Sequence, residues 1–166
     1  YSAGRDSAIN TLRWLGSKGL GCLVMDTDGI IYKASNQDIM TEWDSHAGTS
    51  KWMGQTSVSR YCIGMEICNA GGLDKKNQAW FGQTVPDDEV RLVSAKDDRP
   101  GGRFHKYTQA QEDALLNFCL WQLDVNPEFQ IDWVIGHHEC AGKSPYPNSG
   151  LGYWRKTDPG GSLSMT

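Results

Sequence analysis

Apolar and polar positions change period several times along the chain, and each change predicts an element. Ala8, Ile9, Leu12, Trp14 and Leu15 recur at helical spacing behind Asp6 and Ser7, either of which offers an oxygen to the first backbone N–H groups of a helix. Gly16 and Gly19 end that helix. Gly21 to Asp26 and Ile30 to Lys33 read as a hairpin around Asp26-Thr27-Asp28-Gly29, with glycine supplying the positive φ that such turns want. The polar stretch from Ser35 to Ser59, holding Trp43, His46, Trp52 and Gly54, reads as loop. Arg60 to Cys68 reads as a central strand with Tyr61, Ile63, Met65 and Ile67 on one face. Glu66 then falls on the other face with Cys62 and Cys68.

From Asn69 to Lys106 the chain reads as a long insertion of surface loops bordering a groove, with Val90 to Ala95 as a short edge strand. A second helix runs from about Thr108 to Leu123. Thr108 and Gln111 make a capping box, and Ala114, Leu115, Phe118, Cys119 and Leu123 form its core-facing stripe. Ile131, Trp133 and Ile135 alternate with Asp132 and Val134 up to Gly136, which predicts a short buried strand delivering His137 and His138 to its carboxyl end. Sites in α/β folds gather there. The pattern as a whole predicts an α/β fold, a central mixed β-sheet flanked by helices with long groove-forming loops.

Composition narrows the class. A chain of 166 residues with 39% hydrophobic and 22% charged positions is long enough for one domain spanning residues 1–166. A formal net charge of −4 argues against a general nucleic-acid surface. No apolar run approaches the ~20 residues of a membrane span and no signal-peptide pattern opens the chain, so a soluble protein with neither nucleic-acid nor membrane partner is expected. Five cysteines, Cys22, Cys62, Cys68, Cys119 and Cys140, lack the close pairing of a disulfide framework and read as buried thiols of a reducing compartment.

Candidate chemistry gathers near the end of the chain. His137 and Asp158 are donors that zinc accepts, and Arg155-Lys156-Thr157-Asp158-Pro159-Gly160 places two cations and an acid where Pro and Gly forbid regular structure. Spacing alone is a weak signal, since a strand-capping histidine and an Asx turn before Pro159 produce the same letters. Cys140, three positions after His137, reads as a structural thiol. Glu66 in mid-strand is costly unless paired or hydrated, and an ion pair with a nearby Arg or Lys is the plain structural account.

Together, Gly136-His137-His138-Glu139 and Arg155-Lys156-Thr157-Asp158-Pro159-Gly160 resemble the closing signature of the zinc-dependent N-acetylmuramoyl-L-alanine amidases, the type 2 amidase and peptidoglycan recognition protein superfamily. Asp28-Gly29-Ile30-Ile31-Tyr32, His46-Ala47-Gly48-Thr49-Ser50-Lys51-Trp52 and Ile63-Gly64-Met65-Glu66 are similar to its earlier landmarks, in the same order. The likeness is greatest to phage lysins. It implies a peptidoglycan hydrolase that cleaves the amide between the lactyl group of N-acetylmuramic acid and L-alanine with a zinc-activated water. Zn2+ is then the cofactor, with His137 and Asp158 as ligands.

The resemblance further implies Glu66 as the base that activates water and Lys156 as the cation that stabilises the developing oxyanion, with Lys143 as the alternative for that role. His46, Trp52 and Asn69 are its implied substrate contacts, and Trp43 and Trp52 could stack on sugar rings or the stem peptide. The chain opens Tyr1-Ser2-Ala3-Gly4, which looks like the segment directly after the family's first zinc-binding histidine. A further His before Tyr1, and a first strand absent from this chain, are therefore expected. A monomer made in the cytoplasm and acting on the cell wall, in the host periplasm for a phage lysin, completes the expectation. The alternative is a non-catalytic peptidoglycan-binding module of the same superfamily.

Overall fold

A computed structural model describes residues 2–3, 7–18, 20–33, 48–96, 100–148, 152–154 and 156–164. Trp43, His46 and Arg155 lie outside the described residues. The fold is α/β, with helices packed on a mixed sheet. In chain order the first six strands are β1 (Ser2–Ala3), β2 (Leu23–Met25), β3 (Ile31–Tyr32), β4 (Lys51–Trp52), β5 (Gln55–Thr56) and β6 (Met65–Asn69). Four of them make the main sheet, in the order β1-β6-β2-β3. The central strand β6 is parallel to β1 and β2, whereas β2 and β3 form the antiparallel hairpin that the turn around Gly29 predicts. The expected absence of a first strand is thus corrected in part: Ser2 and Ala3 pair with Cys68 and Asn69.

Strand alternation assigns the two faces. Val24 and Cys68 face one way and pack with Cys22, Ala8 and Leu15, the last two from helix α1 (Ala8–Ser17). Met25 and Ile67 face the other way and pack with Tyr107 and with Ala114 and Leu115 of helix α2 (Gln109–Val125). The cap of α1 differs from expectation. Ser7 makes no side-chain cap bond, and the Ala8 N–H donates instead to the Asp26 carboxylate at 3.0 Å, from the end of β2.

The capping box of α2 forms as read. The Gln111 N–H donates to Thr108 Oγ1 at 3.1 Å and the Thr108 N–H donates to Gln111 Oε1 at 3.1 Å. Its buried seam is rotated by one position at the far end, where Gln122 is buried and Leu123 exposed. Positions 111, 115, 119 and 122 share a face at helical spacing, and Leu123 lies one step around from it.

Three further strand groups complete the chain. Strands β4 and β5 form a small antiparallel pair in a stretch that reads from sequence as loop. Strand β7 (Gly72–Leu73), β8 (Val90–Val93) and β9 (Gly102–His105) form an antiparallel sheet in the order β7-β9-β8. The apparent insertion is therefore a folded unit, whose loops close over Ala70, Ala79 and Val85. The predicted strand before His137 is also corrected. Ile131–Trp133 is a 3₁₀ turn with both apolar ends exposed; its alternation is real, but among the described residues no strand lies beside it to complete a ladder. His137 instead opens the short helix α3 (His137–Ala141), which leads into β10 (Lys143–Asn148) and its partner β11 (Gly152–Trp154).

A candidate metal and acid–base centre

Two segments far apart in sequence meet at Asp158. Helix α3 begins at Gly136, whose N–H donates to the Glu139 carboxylate and so satisfies one free end of the helix. Gly136 is required for closeness: a Cβ there would stand 2.6 Å from Pro159 and 2.7 Å from the His138 ring. The 157–162 loop is pressed onto the second sheet in the same way. A Cβ on Gly160 would meet Phe104 at 2.5 Å and one on Gly161 would meet Val93 at 2.3 Å. The Arg91 guanidinium also donates to the Gly161 carbonyl at 3.3 Å. The unit between Asn69 and Lys106 is thus the floor on which the Asp158 loop rests.

On that floor, His137 Nδ1 and Asp158 Oδ2 are 2.8 Å apart. Asp158 is buried and His137 partly so. The next residue fixes the backbone: the His138 N–H and its ring Nδ1 both reach the Asp158 carbonyl, at 3.0 and 3.1 Å. A carbonyl only accepts, so His138 carries its proton on Nδ1. Burial pushes the Asp158 carboxyl up, but the hydrogen bond from His137 and the imidazole's charge outweigh it and hold the group below the usual carboxylate range.

Tyr107, absent from the sequence-based expectations, is buried beside Asp158. Its N–H donates to the Ser162 carbonyl at 2.9 Å, and it lines a narrow crevice with Asn69, Thr157, Asp158 and Ser162. Burial, reinforced by the charges of Asp158 and Glu66, drives its hydroxyl far above the ordinary tyrosine range. It therefore stays protonated within electrostatic reach of both carboxylates. Its position just before the Thr108 cap, where apolar residues often fix a helix entry, was the available sequence signal.

Glu66 lies on the central strand, half-buried, with Oε2 enclosed by protein. Lys156 is exposed on the loop two residues before Asp158, and Lys143 is exposed at the start of β10. Trp52 is half-buried on β4, which packs against α3. Asn69 is turned inward: its side-chain amide donates to the Lys106 carbonyl at 2.9 Å and accepts from the Gly71 N–H at 2.7 Å. That geometry ties the central strand to the second sheet. Cys140 donates to the His137 carbonyl at 3.4 Å, and burial pushes its thiol up, as befits a structural cysteine. Among the described residues, which include all five cysteines, none forms a disulfide.

The His137–Asp158 pair is chemically suited to zinc. Two donors on one tetrahedral zinc, each about 2.0–2.2 Å from it, stand about 3.3 Å apart, so the observed 2.8 Å needs only a small opening. Among the described residues, no three His, Cys, Asp or Glu side chains gather to hold a metal ion. A catalytic zinc takes three protein ligands, and this pair offers two donors of a suitable type. No helix among the described residues is long and apolar enough to cross a membrane. The chain matches no family model and no curated protein.

Proposed function

We propose that this chain is the catalytic domain of a zinc-dependent N-acetylmuramoyl-L-alanine amidase, hydrolysing the amide between the lactyl group of N-acetylmuramic acid and L-alanine in peptidoglycan. The observation that carries the reading is the meeting of His137 and Asp158, 21 residues apart, at 2.8 Å in a buried setting whose charge reaches Tyr107 together with that of Glu66. A catalytic zinc takes a third protein ligand beside this pair.

His137 and Asp158 would hold the zinc, which when bound supplies a Lewis acid to polarise the scissile carbonyl and acidify water. Glu66 accepts the proton of the attacking water as its oxygen bonds to the lactyl carbonyl carbon. Lys156 offers positive charge to the oxygen of that carbonyl as it becomes an oxyanion. When the C–N bond breaks, Glu66 returns the proton to the departing amine of L-alanine, leaving a lactyl carboxylate. His138 fixes the Asp158 backbone throughout, and Tyr107, neutral, lines the crevice beside Asp158. Trp52 and His46 belong to the substrate side in this reading.

Zinc content and the appearance of alanine α-amino groups from purified peptidoglycan test the proposal. Glu66→Gln is expected to lower amine release by at least about 100-fold, the usual range for a lost general base, with zinc content unchanged. Equal turnover in the variant removes Glu66 from the mechanism. A zinc-free protein that binds peptidoglycan without releasing amines is the binding module instead.

A further inference from the structure

Trp133 is an unusual residue to leave in water. It is 52% exposed, yet its ring is not isolated: Trp52 meets it edge to face, with centroids 5.5 Å apart and planes at 75°. Trp133 lies in the 3₁₀ turn that runs into α3, four residues before His137. Trp52 lies on β4, which packs against the same helix. Both indoles are thus anchored to the element that carries His137. An edge-to-face pair holds each ring at a set angle, so the exposed face of Trp133 is a fixed surface.

The surroundings of the pair select its ligand. Gln55 is directly opposite Trp52 in the β4–β5 ladder, which puts its side chain on the same face with Cβ atoms about 4.5–5.5 Å apart. Gln55 and Thr56 are exposed, as are Lys51 and Asp132 beside the two tryptophans. Lys51 and Thr56 fall on the opposite face of the ribbon; an apolar plate edged by the Gln55 amide matches a pyranose ring, whose C–H face is apolar and whose rim carries hydroxyl and acetamido groups. Among the described residues the β4–β5 ladder has two strands, so its outer edges also offer hydrogen bonds to a peptide backbone, and the free stem peptide is the competing ligand.

We infer that Trp133, held by Trp52 and assisted by Gln55, is a stacking subsite for an N-acetylhexosamine ring of the glycan strand. The inference rests on the amidase reading for its ligand class and adds the residue that positions the sugar relative to His137. Trp133 acts by holding the glycan, so it is expected to govern binding of the sugar independently of hydrolysis.

The test uses a β-1,4-linked N-acetylglucosamine tetramer, which has neither peptide nor scissile amide, titrated calorimetrically into the wild-type protein and its variants. Trp133→Ala is expected to weaken binding by roughly tenfold or more, as truncation of an aromatic anchor does. Trp133→Phe should restore most of it and Gln55→Ala should weaken it by less. Circular dichroism of each variant checks the fold, and Gln55→Ala, at an exposed position, keeps the test alive should Trp133→Ala unfold. Binding that is absent in the wild type, or equal in wild type and Trp133→Ala, overturns the subsite. So does Trp133-dependent binding of the free stem peptide in place of the tetramer. Amine release from peptidoglycan without Trp133-dependent tetramer binding leaves the amidase and removes the subsite. Trp133-dependent tetramer binding without amine release leaves the subsite and removes the amidase.

Discussion

The contact between His137 and Asp158 is the joint on which the functional reading turns, and a double-mutant cycle measures it directly. The hydrogen bond is 2.8 Å long and joins an imidazole to a buried carboxylate. A bond of that charge-assisted kind contributes about 1.5–3 kcal/mol. The two bonds from His138 go to the Asp158 carbonyl, so Asp158→Ala leaves them in place and the loss is confined to the side chain. In urea with a chelator present, His137→Ala and Asp158→Ala should each lower stability. The double variant should fall short of their sum by about 1.5–3 kcal/mol, the coupling expected of residues in direct contact. With an m value of about 2 kcal/mol per M, the coupling appears as a midpoint difference of about 1 M.

Acid gives a second handle on the same contact. The folded state holds the Asp158 carboxyl below its ordinary range, so it binds fewer protons there than the unfolded chain does. The contribution is present above the unfolded value of about 3.9 and is lost as the pH falls through the lower folded value. The gap between wild type and Asp158→Ala should therefore close in acid. A coupling below about 0.5 kcal/mol would mean that the two side chains act independently, and the proposed ligand pair would fall with it.

Two other features give separate tests. Gln111 is buried, completes the capping box and donates from Nε2 to the Cys68 carbonyl at 2.8 Å, two residues from Glu66. Gln111→Ala should cost about 2–4 kcal/mol in urea unfolding, the sum of a lost cap bond and a buried carbonyl deprived of its donor, and a change under about 0.5 kcal/mol would deny the anchor. His105 accepts the Ala70 N–H on Nδ1 at 3.1 Å and meets Glu89 at 3.4 Å through Nε2. Burial lowers its pKa against the opposing pull of Glu89, so its neutral form supports folding fully above the unfolded value of about 6.5 and stability declines as the pH falls below it. Glu89→Gln should move the imidazole titration further down by NMR; no movement would show that the two groups do not interact.

The letters alone revealed the features that neighbours in sequence decide. The box at Thr108 and Gln111, the hairpin around Gly29 and the period of α1 each depend on groups within a turn or two of one another, and all three form. The candidate site residues His137, Asp158, Glu66 and Lys156 were legible through a resemblance of four motifs in a shared order, whereas their spacing alone also fits a strand-capping histidine and an Asx turn.

Their assembly was not legible, for reasons of distance. A run such as 131–135 becomes a strand only if another strand lies beside it, and among the described residues none completes the ladder. The α1 cap comes from Asp26, 18 residues away. The segment 69–106 looked like loop because its hydrophobic residues close on each other only after β7, β8 and β9 pair. Tyr107 acquired its place from contacts with Ser162 and the charges of Asp158 and Glu66, each of them remote along the chain. Local sequence determined the pieces and the chemistry they carry. Long-range packing decided which pieces touch, since burial and electrostatic proximity are properties of the folded neighbourhood and have no counterpart in the order of the letters.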